Sequence, residues 1–507
     1  MPTIVIPPIR RLLQRWGVHP DSHKYPAAGL PIEDAGLPGM LRLPLAQHVG
    51  APARVIVEVG ERVLRGQLIA ATGGKISAPL HAPTSGTVVA IDEAAVPHLS
   101  GLADMAIHLR PDGLDEWCAL KPELYPINLS EREISARVED AGIVGMGGAS
   151  FPSAVKLSLG QRSRINTLIL NGSECEPYLS CDDRLMQENA HGIIEGARLM
   201  LKATGATRVL AGIEDNKPEA ILAMKLAAKP YPEVHVVKIP SRYPMGADRQ
   251  LIKMLTGIEA PADGRAADVG VLVHNVGTAH AVYRALRYGE PLTERVVTVA
   301  GGAVSAPRNL RVRLGTPMSY LFERCGGLKL PPARVVSGGP MMGIGVQDLD
   351  TPVVKGSSGA LALSAAEVGE REASACIRCG SCVSACPVGL LPLEMAARIH
   401  ANALGEAEEI GLGDCLTCGA CGFICPSRIP LVQYFQHAKG ELASREREKK
   451  RLDAIKELTE AKTARVERET REKAEANARR KAEREKAAAE AAARKAAAAA
   501  AAQETEA

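Results

Sequence analysis

Eight of the chain's 12 cysteines fall in two matching runs, and their spacing could carry electrons. The first run is Cys376-x2-Cys379-x2-Cys382-x3-Cys386-Pro387, and the second is Cys415-x2-Cys418-x2-Cys421-x3-Cys425-Pro426. Three thiolates two residues apart lie along one tight loop and can grip three irons of a cuboidal cluster. The fourth, followed by proline, sits on the departing segment and reaches the cluster of the other run. This assigns Cys376, Cys379, Cys382 and Cys425 to one [4Fe-4S] cluster, and Cys415, Cys418, Cys421 and Cys386 to a second. Zinc also binds sets of four cysteines, although a duplicated x2-x2-x3-Pro pattern is not its usual spacing. A disulfide framework suits small secreted domains. The opening Met1-Pro2-Thr3-Ile4 leads into prolines and arginines and does not read as a secretory leader. Cys118, Cys175, Cys181 and Cys325 are expected to be reduced, buried thiols.

Clusters pass single electrons, nicotinamides exchange hydride, and a flavin handles both. A second redox site is therefore sought. One candidate is the stretch Gly142-Ile143-Val144-Gly145-Met146-Gly147-Gly148-Ala149-Ser150-Phe151-Pro152, running into Ser153-Ala154-Val155-Lys156. Glycines let backbone amides approach a phosphate, Pro152 opens a helix whose N-terminus favours an anion, and Lys156 adds a charge. The run is not the G-x-G-x-x-G fingerprint, so a structural turn competes with the binding reading. The second candidate, Asn171-Gly172-Ser173-Glu174-Cys175-Glu176-Pro177, directly follows the apolar stretch Thr167–Leu170. Ligands in α/β folds bind at the carboxyl ends of strands. A charged loop without a ligand is the alternative.

The elements that must position these residues divide the chain into five parts. Residues 1–124 read as a Pro/Gly-rich arm and a β-sandwich-like domain, from period-two runs such as 53–60, 67–70 and 86–91. The run around Val59-Gly60-Glu61-Arg62-Val63 resembles a lipoyl or biotinyl carrier sandwich without an evident modified lysine, so the domain reads as structural. Residues 125–294 alternate strand and helix signals, including a helix over 190–204, and imply an α/β layer with a mainly parallel sheet. Residues 295–365 turn β-rich, with a short helix over 318–325. Residues 366–435 hold the cluster domain, and 436–507 form an Ala/Lys/Glu-rich tail. The fold class is thus multidomain, α/β and α+β.

The tail from Glu441 carries 18 Lys/Arg and 15 Asp/Glu, which accounts for the whole net charge of +3. Its composition favours a solvated helix laced with ion pairs, or disorder; a contact with anionic lipid is the alternative. With a balanced body and only 3% aromatic residues, nucleic-acid binding is not expected. No apolar run approaches the roughly 18 residues of a membrane span.

Gly145-x-Gly147-Gly148-Ala149-x-Phe151-Pro152-x-x-x-Lys156 with Asn171-x-x-Glu174-x-Glu176-Pro177 resembles the flavin- and NADH-binding subunit of respiratory complex I. Over residues 15–435 the chain is more similar to the RnfC proteins of Rnf electron-transport complexes. Supporting pieces are Gly17-Val18-His19-Pro20-x-x-x-Lys24, Pro44-Leu45-x-Gln47-His48-x-Gly50, the segment 77–86, Tyr243-Pro244-x-Gly246-x-Asp248-x-Gln250-Leu251 and the paired cluster motifs. The resemblance implies a peripheral subunit on the cytoplasmic side of the cell inner membrane. It would move electrons between NADH and ferredoxin-type carriers, alongside the other subunits of an ion-translocating complex.

The same resemblance implies non-covalent FMN, with NADH stacked over it. Gly145, Gly147, Gly148 and Lys156 would hold phosphate or ribityl, and Phe151 would face the nucleotide. Asn171, Glu174 and Glu176 would line flavin and nicotinamide, with Gly246, Asp248, Asn275 and Thr278 completing the pocket. Hydride and electron transfer would belong to the cofactors, so no catalytic side chain is named. The segment from Arg295 to Gly327 resembles the soluble-ligand-binding β-grasp module of these families. Met146 and Ser173 depart from the complex I pattern of Arg and Asp, which weakens the NADH contacts. A flavin and iron–sulfur cobalamin reductase and a flavin-free electron carrier are the rival readings.

Overall fold

The computed structural model describes residues 16–159, 163–262, 264–369 and 372–504. The chain divides into two compact units, Met1–Phe435 and Gln436–Ala507. The first 15 residues of the expected arm lie outside the described residues.

The N-terminal β-domain pairs a four-stranded antiparallel sheet with a three-stranded one. The first runs in the order Leu41–Pro44, Asp104–Pro111, Gly86–Ala94, Arg62–Val63. The second runs Arg54–Val55, Leu68–Ala71, Leu80–His81. The strand Asp104–Pro111 escaped the sequence reading. It is central to its sheet and supplies the buried Ala106, Ile107 and Leu109.

The α/β layer is built on four parallel strands in the order Val234–Ile239, Arg208–Glu214, Thr167–Gly172, Val271–Asn275. Thr167–Gly172 is buried throughout, as expected of a strand covered on both faces. The helix expected over 190–204 spans Cys181–Thr204, nine residues longer at its start. Its first turn is polar (Asp182, Asp183), which hid it from an apolar-period reading. It packs against helix Val276–Tyr288 at Gly196, where a Cβ would lie 1.8 Å from the Ala279 carbonyl oxygen. Only glycine allows that approach.

The β-rich segment forms a six-stranded mixed sheet in the order Glu33–Asp34, Arg308–Arg313, Glu294–Ala300, Gly359–Leu363, Arg334–Ser337, Ile344–Val346, with helix Met318–Arg324. The arm therefore does more than extend: Glu33–Asp34 adds an edge strand to this sheet. The cluster segment is made of short helices, Ser381–Ala385, Pro392–His400, Leu404–Glu409 and Ala420–Phe423. A helix over Leu431–Glu504 follows. Within the second unit its face carries i,i+4 pairs such as Glu441–Arg445 at 2.9 Å and Glu446–Lys450 at 3.2 Å. These exposed pairs add only tenths of a kcal/mol each.

Candidate functional site

The parallel sheet has one topological switch point. Two strands, Arg208–Glu214 and Val234–Ile239, wind outward from Thr167–Gly172 on one side, and Val271–Asn275 lies on its other side. A crevice opens at the carboxyl ends of such a strand pair. Here those ends are Asn171 and Asn275, which are direct cross-strand partners. Asn171 donates to the Gly246 carbonyl at 2.8 Å, and its own oxygen accepts from the Ser173 amide at 3.1 Å. Asn275 caps helix Val276–Tyr288 by accepting from the Gly277 amide at 2.7 Å, and donates to Asp182 at 2.6 Å.

The glycine loop stands over this switch point. The Gly145 amide donates to the Phe151 carbonyl at 2.8 Å and closes the loop. The Met146 amide donates to the Thr278 hydroxyl at 3.0 Å, so Thr278, fully buried, anchors the loop from behind. Gly147 and Gly148 are exposed. A Cβ on Gly147 would lie 3.1 Å from the Asn275 Cβ, so a side chain there would displace Asn275.

Lys156, on helix Ser153–Leu159, donates to the Val273 carbonyl at 3.2 Å. Asp248, which begins helix Asp248–Thr256, is accessible to solvent. Burial nevertheless pushes its carboxyl up, with Lys156 partly opposing. The Coulombic pull of Lys156 on this carboxyl places the two side chains near one another at the crevice. His274 lies beside Lys156, 3% exposed, and neither ring nitrogen has a hydrogen-bond partner among the described residues. Burial, then Lys156, drives its imidazole well below the usual range and keeps it neutral.

The loop after Gly172 carries two carboxylates with different roles. Glu174 accepts from the amides of Asp182 at 2.7 Å and Asp183 at 3.2 Å, capping helix Cys181–Thr204. Burial pushes its carboxyl up. Glu176 turns to the β-grasp module and accepts from the amides of Met341 and Met342, each at 3.0 Å. Burial pushes it up to about 7. Of the 12 residues expected around a flavin, 11 gather at the switch point or anchor its loops, and Glu176 faces the neighbouring module.

These residues fit FMN. An exposed glycine loop offers amides, Lys156 offers a cation, and His274 leaves two buried ring nitrogens unsatisfied, which a polar ligand would remedy. Asp182 and His274 were missed by sequence reasoning. An acidic pair following Ser180 is a helix-start signal that could have found the former. Nothing local marks His274.

The eight cluster cysteines gather into two fours. Cys376, Cys379, Cys382 and Cys425 surround one hollow, walled by Ile377, Leu393, Ile429 and Leu431. Cys386, Cys415, Cys418 and Cys421 surround another, walled by Leu390, Met395, Val432 and Phe435. The two loops share a backbone form: Arg378 and Thr417 hold φ of 54° and 51°, and Gly380 and Gly419 hold 74° and 84°. Amides of Arg378 and Thr417 donate to the sulfurs of Cys376 and Cys415, both at 3.4 Å. Burial pushes the Cys418 and Cys421 thiols up to about 11 and about 12. Four sulfurs around an apolar hollow suit iron, which supplies the charge that stabilises the buried Cys418 and Cys421 as thiolates. The remaining four cysteines are free; Cys181 and Cys325 are buried, whereas Cys118 and Cys175 are only half-buried.

The second hollow is the one docked against the α/β layer. Tyr243 donates to the Cys418 carbonyl, Gln250 to the Pro387 carbonyl at 2.8 Å, and Arg249 pairs with Asp414 at 3.1 Å.

Four segments of the chain match models of known families. Family models match the RnfC barrel sandwich hybrid domain at residues 14–114 and the Nuo51 FMN-binding domain at 138–284. Others match the SLBB domain at 296–345 and the 4Fe-4S dicluster domain at 369–426. The RnfC protein of Rhodobacter capsulatus, from an ion-translocating oxidoreductase complex, is 52% identical over 87% of this chain and 85% of its own length. The chain belongs to the RnfC family. Longer members include those of Erwinia tasmaniensis (46% identical, 89% of this chain, 56% of the relative) and Pseudomonas aeruginosa (45%, 89% and 58%).

Membership in the RnfC family makes the chain an electron-transfer subunit of an ion-translocating oxidoreductase complex, with FMN-binding and 4Fe-4S domains. It sets aside the cobalamin reductase reading. No described helix is long and apolar enough to cross a membrane.

Proposed function

We propose that the chain exchanges electrons between NADH and ferredoxin-type carriers, as a peripheral subunit on the cytoplasmic side of the inner membrane. Other subunits of the complex would complete the route. The observation that carries this reading is the shared wall between the switch-point recess and the second cysteine hollow. Asn171 reaches Gly246, and three residues before Gly246, Tyr243 reaches Cys418.

FMN held in the recess supplies the exchange between hydride and single electrons. The amides of Gly147 and Gly148 with Lys156 bind its phosphate. His274, neutral and unpaired, offers a donor and an acceptor inside the sheet end. Asn171 and Asn275 hold the two loops that flank the ring, and Phe151, Glu174 and Asp248 complete the enclosure. The cluster on Cys386, Cys415, Cys418 and Cys421 is the inner one, because its loop is bonded to the α/β layer. The cluster on Cys376, Cys379, Cys382 and Cys425 is the outer one. Cys376 and Cys379 are exposed, and electrons meet the partner there.

Anaerobic titration of the reconstituted chain with NADH, followed by visible and EPR spectra, tests this. Bleaching of a flavin band together with reduced-cluster signals is expected. Clusters reduced by dithionite but not by NADH would make the chain a relay for another donor.

A further inference from the structure

The loop that carries Glu174 and Glu176 is held in an unfavourable backbone form. Glu174 and Tyr178 have φ of 44° and 66°, a region that residues other than glycine seldom occupy. Such a loop persists only when its surroundings over-determine it. The contact that does so comes from the N-terminal arm, roughly 150 residues away in sequence. Lys24, 8% exposed, donates to the carbonyls of Glu174 at 3.0 Å, Glu176 at 2.9 Å and Leu179. An ammonium has three donors, and all three are used. The arm adds two more contacts beside it. The Tyr178 amide donates to the Ser22 carbonyl at 2.8 Å, and the His23 and Tyr178 rings stack with centroids 4.9 Å apart.

From the far side, Lys217 donates to the Ser173 carbonyl at 2.9 Å, but it is also paired with Glu214 at 2.8 Å. Lys24 has no carboxylate within bonding distance among the described residues; its nearest partners are the loop's own carbonyls. A buried cation without a carboxylate partner is costly unless hydrogen bonds compensate it. All three hydrogen bonds of its ammonium therefore go to this loop.

We propose that Lys24 is a positioning residue for the flavin and nicotinamide pocket. Its ammonium gathers the carbonyls of residues 174, 176 and 179, turns the loop into its strained form, and so sets Glu174 against helix Cys181–Thr204 and the edge of the recess. The inference rests on the reading of the recess as the FMN and NADH site.

The test uses the full chain, reconstituted anaerobically with iron, sulfide and FMN. Lys24→Met keeps the stem and removes the donors. Its FMN dissociation constant and its KM for NADH should rise roughly ten- to a hundredfold, the scale of one or two lost charge-assisted hydrogen bonds. Cluster EPR signals under dithionite and the melting temperature should stay near wild type. If cluster content, melting and FMN occupancy fall together while the loaded fraction keeps a normal KM, Lys24 is merely structural and the proposal fails. Should Lys24→Met not fold, Lys24→Ala supplied with propylammonium replaces it. Recovery of FMN binding with the amine, and not with tetramethylammonium, supports the proposal; equal recovery with both overturns it. Wild-type chain that takes up no FMN overturns the functional reading and this inference with it. Normal wild-type uptake with an unchanged variant overturns this inference alone.

Discussion

The phenolic oxygen of Tyr243 lies 2.5 Å from the carbonyl oxygen of Cys418 and donates to it. Tyr243 is 2% exposed, and Cys418 belongs to the inner cysteine group. Burial, then Glu176, pushes the phenol far above its usual range, so it remains a donor at every working pH. Tyr243→Phe leaves a buried carbonyl unpaired in a cluster loop, which costs about 1–3 kcal/mol. Flavin reduction by NADH should keep its rate, while inner-cluster reduction slows. Stopped-flow absorbance paired with freeze-quenched EPR separates the two phases. Equal slowing of both phases would show that the contact does not act on the cluster loop.

The crossed cysteine grouping gives a sharper expectation. Cys425 lies with the first run and Cys386 with the second. Cys425→Ala should therefore remove the outer cluster and half of the iron while the inner cluster's EPR signal persists. Cys386→Ala should do the reverse. Loss of the cluster belonging to the same run in each variant would mean that the fourth cysteine does not cross over.

The cysteine groups were legible because ligand spacing is local arithmetic along the chain. The parallel strands were legible for a similar reason: Thr167–Leu170 and Val271–Val273 are apolar runs that can only be covered on both faces. What stayed hidden depends on packing between distant segments. Glu176 sits in a motif suggestive of a nicotinamide contact, yet its carboxylate faces Met341 and Met342, 165 and 166 residues away. His274 carries no local signal at all, because a lone histidine reveals neither its partners nor the lack of them, and Lys24 closes the His19-Pro20-x-x-x-Lys24 motif without revealing that it reaches the carbonyls of residues 174, 176 and 179. The early start of helix Cys181–Thr204 was obscured by its polar first turn, where Glu174 supplies the cap from outside the helix.

Glu294 offers a test of how the modules hold together. Its carboxylate is 9% exposed, pairs with Arg65 at 3.0 Å, and also takes Arg284 and Arg313. These arginines come from the β-domain, the α/β layer and the β-grasp sheet. Burial pushes the Glu294 carboxyl up, but Arg284, Arg313 and Arg65 outweigh it and hold it below its usual value. A carboxylate depressed in the folded state stabilises above its unfolded pKa and loses that contribution as pH falls through the folded value. Glu294→Gln should destabilise the body by about 3–5 kcal/mol near neutral pH, because buried cations lose their counter-ion. The gap between wild type and variant should close as pH drops below about 4. Parallel melting curves across that range would show that the network does not titrate with Glu294.

Lys355 predicts a trend of the same sign in a higher pH window. Its side chain is 1% exposed, and its amine donates to the carbonyls of Pro79 at 2.6 Å and Gly142 at 2.7 Å. It thus ties the β-domain and the base of the glycine loop to the β-grasp module. Burial pushes the amine down to about 7, from 10.5 when unfolded. A neutral amine has two N–H donors, matching the two carbonyls. Between these values the unfolded chain binds the extra proton, so stability rises with pH, is fully gained above the unfolded value, and is lost as pH falls towards 7. The melting temperature of wild type relative to Lys355→Met should therefore climb from neutral pH to about 10. Scanning calorimetry of the anaerobic holoprotein reads this difference directly. A difference that stays flat over the range would mean that Lys355 keeps its proton in the fold, with both carbonyls solvating an ammonium.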